Sequence, residues 1–213
     1  MKKHLIIFTR APQLGRVKRR LASEIGASAA LRFHRAMQAQ LLRGPGNDRR
    51  WKTWIAITPD IRTRNKENIF LNQGQGDLGR RMAKVFRALP PGPAVLVGSD
   101  IPGMNSRHIA RAFAELGRKD VVFGPARDGG YWLAGLKRVR AMGGPHGKTL
   151  FTGVRWSTAY ALSDSCAAYD RPSRIGLIDT LTDVDTAQDY HHWRRLCSSS
   201  RGMISTKLQG LKR

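Results

Sequence analysis

Several short stretches of this sequence carry side chains that could do chemistry together. Val95-Leu96-Val97-Gly98-Ser99-Asp100-Ile101-Pro102 places an aspartate straight after a buried apolar run. A carboxylate at the carboxyl end of a central strand faces the crevice where open α/β sheets bind ligands. It suits a hard cation such as Mg2+ (or Mn2+), which keeps several waters and bridges to phosphates. Asp100 could equally cap the next turn. Asp183-Val184-Asp185-Thr186 offers two more carboxylates, two positions apart and so on one side of an extended segment. Both could reach one cation. Asp185 is also an apt N-cap, with Gln188 at the N3 position of a capping box, so Asp183 is the better ligand candidate.

Phosphate-binding chemistry is suggested by Phe8-Thr9-Arg10-Ala11-Pro12-Gln13-Leu14-Gly15-Arg16-Val17-Lys18-Arg19-Arg20-Leu21. A strand that opens through a glycine-containing loop into a helix presents free backbone N–H groups. Arg10, Lys18 and Arg20 could add charge-assisted bonds. The spacing is neither a Walker loop nor a dinucleotide fingerprint. A surface turn with solvated arginines would look the same. Gly124-Pro125-Ala126-Arg127-Asp128-Gly129-Gly130-Tyr131 reads first as a tight hairpin turn and second as a backbone clamp on substrate, with Asp128 as acceptor. No Ser/His/Asp or Cys/His arrangement stands out. His191-His192 reads as solvent-facing, and the five tryptophans read as packing.

These groups need strands that end where the loops begin. Leu5 to Phe8, Trp51 to Thr58, Ala94 to Gly98, Val121 to Phe123, Tyr131 to Leu136 and Ile175 to Ile178 have strand length and apolar character. Between them fall helical stretches: Val17 to Ile25, Ala27 to Leu42 after Gly26, Arg80 to Leu89, Ser106 (as cap) to Leu116, Ser157 to Tyr169, and Asp185 to Leu196. The alternation predicts an α/β domain with a largely parallel central sheet. Residues 60–72 are polar and ambiguous. One domain is expected over residues 1–197, with a mobile basic tail over 198–213.

Composition narrows the function classes. The 213 residues carry 38 Lys+Arg and 15 Asp+Glu, a net charge of +23. Such a charge invites a nucleic-acid reading. The cations, however, are 27 Arg and 11 Lys spread along the chain, which fits solvated faces better than a binding tail. Only 3 of the acids are Glu; several of the 12 Asp, including Asp77, Asp100, Asp128, Asp183 and Asp185, sit in glycine-rich or strand-end junctions. Aspartates placed there would repel nucleic acid unless a metal intervened. No apolar run approaches the roughly 18 residues a membrane span needs. Met1 to Phe8 is too short in its apolar part for a signal peptide, and two cysteines in unrelated contexts exclude a disulfide scaffold. A cytoplasmic protein is expected.

In order, these motifs resemble bacterial transferases of the glycosyltransferase-A-like superfamily, the group described as radical-SAM/selenodomain-associated. That group is related to 2-phospho-lactate guanylyltransferase and, more distantly, to molybdenum-cofactor guanylyltransferase. The stretches that carry the resemblance are Phe8 to Leu21, Gly76-Asp77-Leu78-Gly79 with Arg81-Met82, Gly98 to Pro102, Gly124 to Ala126 with Asp128 to Tyr131, Leu150-Phe151 with Trp156-Ser157-Thr158, and Asp183 to Thr186. It spans roughly residues 4–195.

The resemblance implies an α/β, GT-A-like (Rossmann-like) three-layer fold with a mostly parallel mixed sheet. It implies that Thr9, Arg10, Gly15, Lys18 and Arg20 hold nucleotide phosphates and that Gly76 and Gly79 shape the base pocket. Asp100 would be the main Mg2+ ligand, completed by Asp183 or Asp185, and Asp128, Gly129 and Gly130 would face the acceptor. Lys18 and Asp100 would be catalytic. Where such sequences often read Val-Lys-Thr-Arg-Leu, this one has Arg19, a cation in place of a hydroxyl.

The leading expectation is Mg2+-dependent nucleotidyl transfer from a nucleoside triphosphate to a phosphorylated small molecule. Sugar transfer from a nucleotide sugar needs the same diphosphate grip and metal, and stays open. Nucleic-acid binding, or nucleotide binding without catalysis, are the readings of a different class.

Overall fold

The structure is a computed structural model that describes residues 1–60, 69–137 and 150–196. Apolar runs at 4–10, 94–98 and 121–125 form β1 (His4–Arg10), β4 (Ala94–Gly98) and β5 (Val121–Pro125). The others are β2 (Lys52–Thr58), β3 (Phe70–Asn72), β6 (Tyr131–Leu136) and β7 (Ile175–Leu177). The strands form one sheet in the order β3-β2-β1-β4-β6-β5-β7. The pairs β3/β2, β2/β1, β1/β4 and β5/β7 are parallel; β6 runs antiparallel to both β4 and β5. The expected mixed, mostly parallel sheet is therefore observed.

Strands buried on both faces explain why their runs are continuously apolar. On one face Leu5, Ile7, Val95 and Val97 pack with Ile109, Ala112 and Phe113 of α4 (Ser106–Glu115). On the other, Ile6, Leu96 and Phe123 pack with Met82, Val85 and Phe86 of α3 (Leu78–Ala88) and with Leu150 and Phe151. A third cluster joins Leu21 of α1 (Arg19–Ile25), Phe33 and Met37 of α2 (Ala27–Arg43), Val184, and Trp193 of the last helix, α6 (187–196). That cluster carries the 183–186 segment back beside the β1–α1 loop.

Four local readings are corrected. The cap of α4 is Asn105, whose Oδ1 accepts from Arg107 N at 2.9 Å while its own N–H donates to His108 Nδ1, so Ser106 is the first helical residue. The helix expected over 157–169 shortens to α5 (Ala161–Ala167), because Ser157 takes φ 61° and Thr158 Oγ1 bonds Arg155 O at 2.7 Å, building a turn instead. Residues 70–72, within the ambiguous segment, form edge strand β3. The last helix is capped by a Thr186–Asp189 pair rather than Asp185–Gln188: Thr186 Oγ1 donates to Asp189 Oδ2 at 2.7 Å and accepts from Asp189 N at 3.2 Å. The Asp185 carboxylate is thereby left for another role. The proposed tail, 198–213, lies outside the described residues.

Candidate active site

The carboxyl ends of β1 and β4 lie side by side in parallel register, Phe8 opposite Gly98. The antiparallel β6 brings its first residues to the same edge, with Val97 opposite Leu133. A cleft of about 400 Å3 opens there, within the size range of small-ligand sites. Its floor is apolar: Phe8, Leu96, Met82, Leu133 and Ala134. Its polar wall is made of Thr9, Arg10, Lys18, Arg81, Asp100 and Asp185.

Lys18 is the centre of this wall. Its Nζ lies 2.5 Å from Asp100 Oδ2 and 2.6 Å from Asp185 Oδ1, and its side chain is 8% exposed. Burial opposes the ammonium, but Asp100 and Asp185 outweigh it and raise its pKa. Lys18 also takes a left-handed backbone conformation, φ 46° and ψ 53°. Side chains other than Gly, Asn and Asp seldom do so unless surrounding contacts impose it; here the two ion pairs do.

The strand end beside it is braced from three sides. Thr9 Oγ1 donates to Ser99 Oγ at 2.8 Å and accepts from Gln38 Nε2 at 2.7 Å. His34 bonds Arg10 O at 3.0 Å. Buried Gln73 donates to Thr9 O at 2.8 Å and Ala56 O at 2.7 Å, and its Oε1 accepts from Arg81. Arg81 stacks over Phe8, its guanidinium carbon 5.5 Å from the ring centroid. Burial first, then the Arg10 cation, lowers the Arg81 pKa. Gln73 and Arg81 are site residues that motif reading did not assign. The available signal was spacing: Leu78, Arg81 and Met82 fall on one face of α3.

Beyond Lys18 the wall continues into a basic annex of about 260 Å3, formed by Arg10, Arg16, Lys18, Arg19 and Arg20 with Asp185 at its edge. Gly15, at φ 71°, turns the chain into it and has open space around it. The substituted Arg19 thus adds charge to this annex.

Asp100 also borders a second pocket, of about 190 Å3, that contains Asp128, Gly130 and Asp183. Asp183 is pushed up to about 6 by burial first, then by Asp185, Asp128 and Asp100. The turn reading of Asp128 also holds, since its Oδ1 accepts from Gly130 N at 2.9 Å. Gly129, at φ 84°, has no room for a Cβ because the Ala159 backbone lies against it.

The structure therefore gathers Thr9, Arg10, Lys18, Arg20, Asp100, Asp128, Gly130, Asp183 and Asp185 around one edge of the sheet. Gly76 and Gly79 stand apart from the cleft. Gly76 is an exposed turn residue at φ 105°, and buried Gly79 lets α3 approach Phe151 and Trp156, where a Cβ would come 2.7 Å from Trp156 Cζ2. Their neighbour Leu78 is the one that lines the site. Asp77 caps α3, accepting from Arg80 N at 2.7 Å.

Among the described residues, no three His, Cys, Asp or Glu side chains converge as in an all-protein metal cage. Magnesium does not need one, since one or two carboxylates plus substrate phosphates suffice. The donors fit it: an oxygen-only set in which Asp183 is held at about 6 by burial and by Asp185, Asp128 and Asp100, a repulsion that a divalent cation would relieve, while Asp100 and Asp185 already share the Lys18 ammonium.

A family model described as "Uncharacterized protein conserved in bacteria (DUF2064)" matches residues 27–158. No curated protein matches the chain in sequence. Among solved structures, a Desulfovibrio desulfuricans G20 protein, provisionally assigned as a nucleotide-diphospho-sugar transferase, is 26% identical with TM-score 0.75, over 89% of this chain and 85% of that one. The 4-diphosphocytidyl-2C-methyl-D-erythritol synthase of Anaerococcus prevotii DSM 20548 superposes with TM-score 0.57 at 11% identity, covering 92% and 96%. A CMP:2-keto-3-deoxy-manno-octonic acid synthetase complexed with CTP gives 0.54 at 11%, covering 94% and 100%. The last two are similar in fold alone.

Proposed function

The chain belongs to the DUF2064 family, and on that premise we propose that it is a Mg2+-dependent transferase that moves a nucleotidyl group from a nucleoside triphosphate to a small-molecule acceptor. The observation that carries this reading is the basic annex. Its cations, Lys18 beside Asp100 with Arg10, Arg16, Arg19 and Arg20, line a cavity that shares no residue with the acidic pocket. A donor lying across the site would have its base and ribose in the larger cleft, its α-phosphate at Lys18, and its β- and γ-phosphates among Arg16, Arg19 and Arg20. A nucleotide sugar has no third phosphate to use that charge.

In the reaction an acceptor oxygen attacks the α-phosphorus. The bond from that phosphorus to the bridging oxygen breaks, and pyrophosphate leaves with the electron pair. The acceptor's proton passes to solvent at the carboxylate edge. Lys18 and the annex arginines hold the phosphates in line and offset the charge that develops on the leaving group. No nucleophilic side chain is required. Magnesium, held by Asp100 with Asp183 or Asp185, would supply further charge neutralisation on the phosphates.

Sugar transfer is the second reading. It is favoured by the similarity to the D. desulfuricans protein at 26% identity. A thermal-shift panel of triphosphates and nucleotide sugars, with and without Mg2+, tests both, because a ligand of the native state raises the midpoint. Stabilisation by a triphosphate with Mg2+, abolished in Asp100→Ala, is expected. No response to any nucleotide, with salt-sensitive DNA binding instead, overturns both readings. Release of pyrophosphate rather than a nucleoside diphosphate then separates nucleotidyl from sugar transfer.

A further inference from the structure

The acceptor side of the site differs in charge from the donor side. Among the described residues that line the smaller pocket there is no Lys, Arg or His. Its charged members are Asp100, Asp128 and Asp183. Lys18, from outside the pocket, already pairs with Asp100, so Asp128 and Asp183 carry the pocket's acidic character. Lys18, Arg10, Arg16 and Arg19 line the larger cleft or the annex instead; Arg20, with Arg127 and Arg195, shares an outer cavity with Asp128 and Asp183.

The rest of the wall is aromatic and hydroxylic. Tyr131, Trp132 and Trp156 face the space, with the Tyr131 and Trp156 rings edge-to-face at 6.3 Å. Trp132 is pinned by its Nε1 donating to Asp179 O at 3.0 Å, and Trp156 is packed against Phe151. Ser157 and Thr158 add hydroxyls at the exposed rim. Ser157 holds φ 61°, so the rim turns sharply just after Trp156. Rigid aromatic faces pack against C–H surfaces, and carboxylates accept hydrogen bonds from hydroxyl groups while repelling phosphates and carboxylates. At about 190 Å3 the pocket has room for a monosaccharide-sized group.

We propose that this pocket takes an uncharged, polyhydroxylated moiety, a sugar or polyol, and excludes a phosphorylated one. The ligand's C–H face lies on the Trp156–Tyr131 side and its hydroxyls are read by Asp128 and Asp183. This replaces the expected phosphorylated acceptor, and the role as acceptor site rests on the transferase reading above, although the chemistry of the pocket does not.

The test uses the full-length chain with Mg2+ and a non-hydrolysable triphosphate. The probes are a fixed set of neutral hexoses, pentoses and linear polyols, each paired with its monophosphate, and the readout is saturation-transfer NMR. At least one neutral probe should receive saturation, and Trp156→Ala should reduce that signal at least fivefold. Trp156→Phe, which keeps an aromatic face and the contact with Phe151, should retain most of it and shows that any loss in the alanine variant is not misfolding. Transfer to phosphates in preference to their neutral partners overturns the proposal, as does no neutral signal or one indifferent to Trp156→Ala. Triphosphate binding is followed separately by its own thermal shift. A protein that binds sugars without nucleotides would overturn the transferase reading alone; one that binds nucleotides without sugars would overturn this proposal alone.

Discussion

Lys18 Nζ lies 2.6 Å from Asp185 Oδ1, joining residues 167 positions apart in sequence and closing the site between the β1–α1 loop and the last helix. Asp100, on the loop after β4, holds the same nitrogen from the other side at 2.5 Å. Removing the cation leaves two adjacent carboxylates uncompensated. Lys18→Met should lower stability by roughly 2 kcal/mol, below the usual figure for a fully buried pair because both carboxylates are partly exposed. In a domain of this size that is a fall in Tm of about 4–8 °C. Asp185→Asn in the same background should recover part of the loss. A double variant no more stable than Lys18→Met would show that repulsion between the carboxylates is not the cause.

Asp183 gives the site a pH dependence of unusual sign. Its folded-state value of about 6 lies above the ordinary 3.8. The folded chain therefore binds more protons than the unfolded chain between those values, and this carboxyl lowers stability as pH rises through the window. The effect at pH 7.5 is roughly 1–2 kcal/mol after allowing for solvent near a half-buried group. Asp183→Asn should accordingly raise Tm at pH 7.5 in the absence of metal and flatten the Tm–pH curve between pH 4 and 6. Magnesium must displace that proton, so its affinity should climb over the same range. A lower Tm in the asparagine variant at pH 7.5 would refute the assignment.

The annex arginines should discriminate by phosphate number. Arg16→Ala with Arg20→Ala should weaken triphosphate binding about tenfold or more, equivalent to roughly 1.4 kcal/mol. Binding of the monophosphate should change little. Isothermal titration at fixed ionic strength measures both, and equal losses for the two ligands would remove the annex from the donor site.

Gly79 tests a purely steric element of the site. Gly79→Ala would drive a methyl group into Phe151 and Trp156. Overpacking of this kind should lower stability by roughly 1–3 kcal/mol. Because Trp156 borders the proposed acceptor pocket, acceptor KM should rise more than the Kd for the triphosphate. A stable variant with unchanged KM would mean that α3 can move away freely.

Much of this was legible in the chain. Continuous apolar runs located the six main strands, since a strand covered on both faces admits few polar residues. Among the described residues, edge strand β3, three residues of mixed character, was the one missed. Glycines at tight turns, such as Gly129 at φ 84°, marked the loops correctly. The caps were harder. Asn105 and Thr186 do what Ser106 and Asp185 were expected to do, because residue types one position apart can satisfy the same orphan N–H groups. Gln73 and Arg81 went unassigned, since a buried side chain bonding two carbonyls from separate strands leaves no periodic signature.

What the sequence by itself determined is the set of loops that could carry chemistry, because strand ends and turns follow from local patterns of apolar residues and glycine. Only the tertiary structure decided which charges meet. The sheet order sets β1 beside β4, and packing of Val184 against Phe33 and Met37 returns Asp185 to Lys18. It also formed a basic annex and a separate pocket lined by carboxylates. That division depends on distances and burial between segments remote in the chain, and electrostatic energy is a function of those distances rather than of composition.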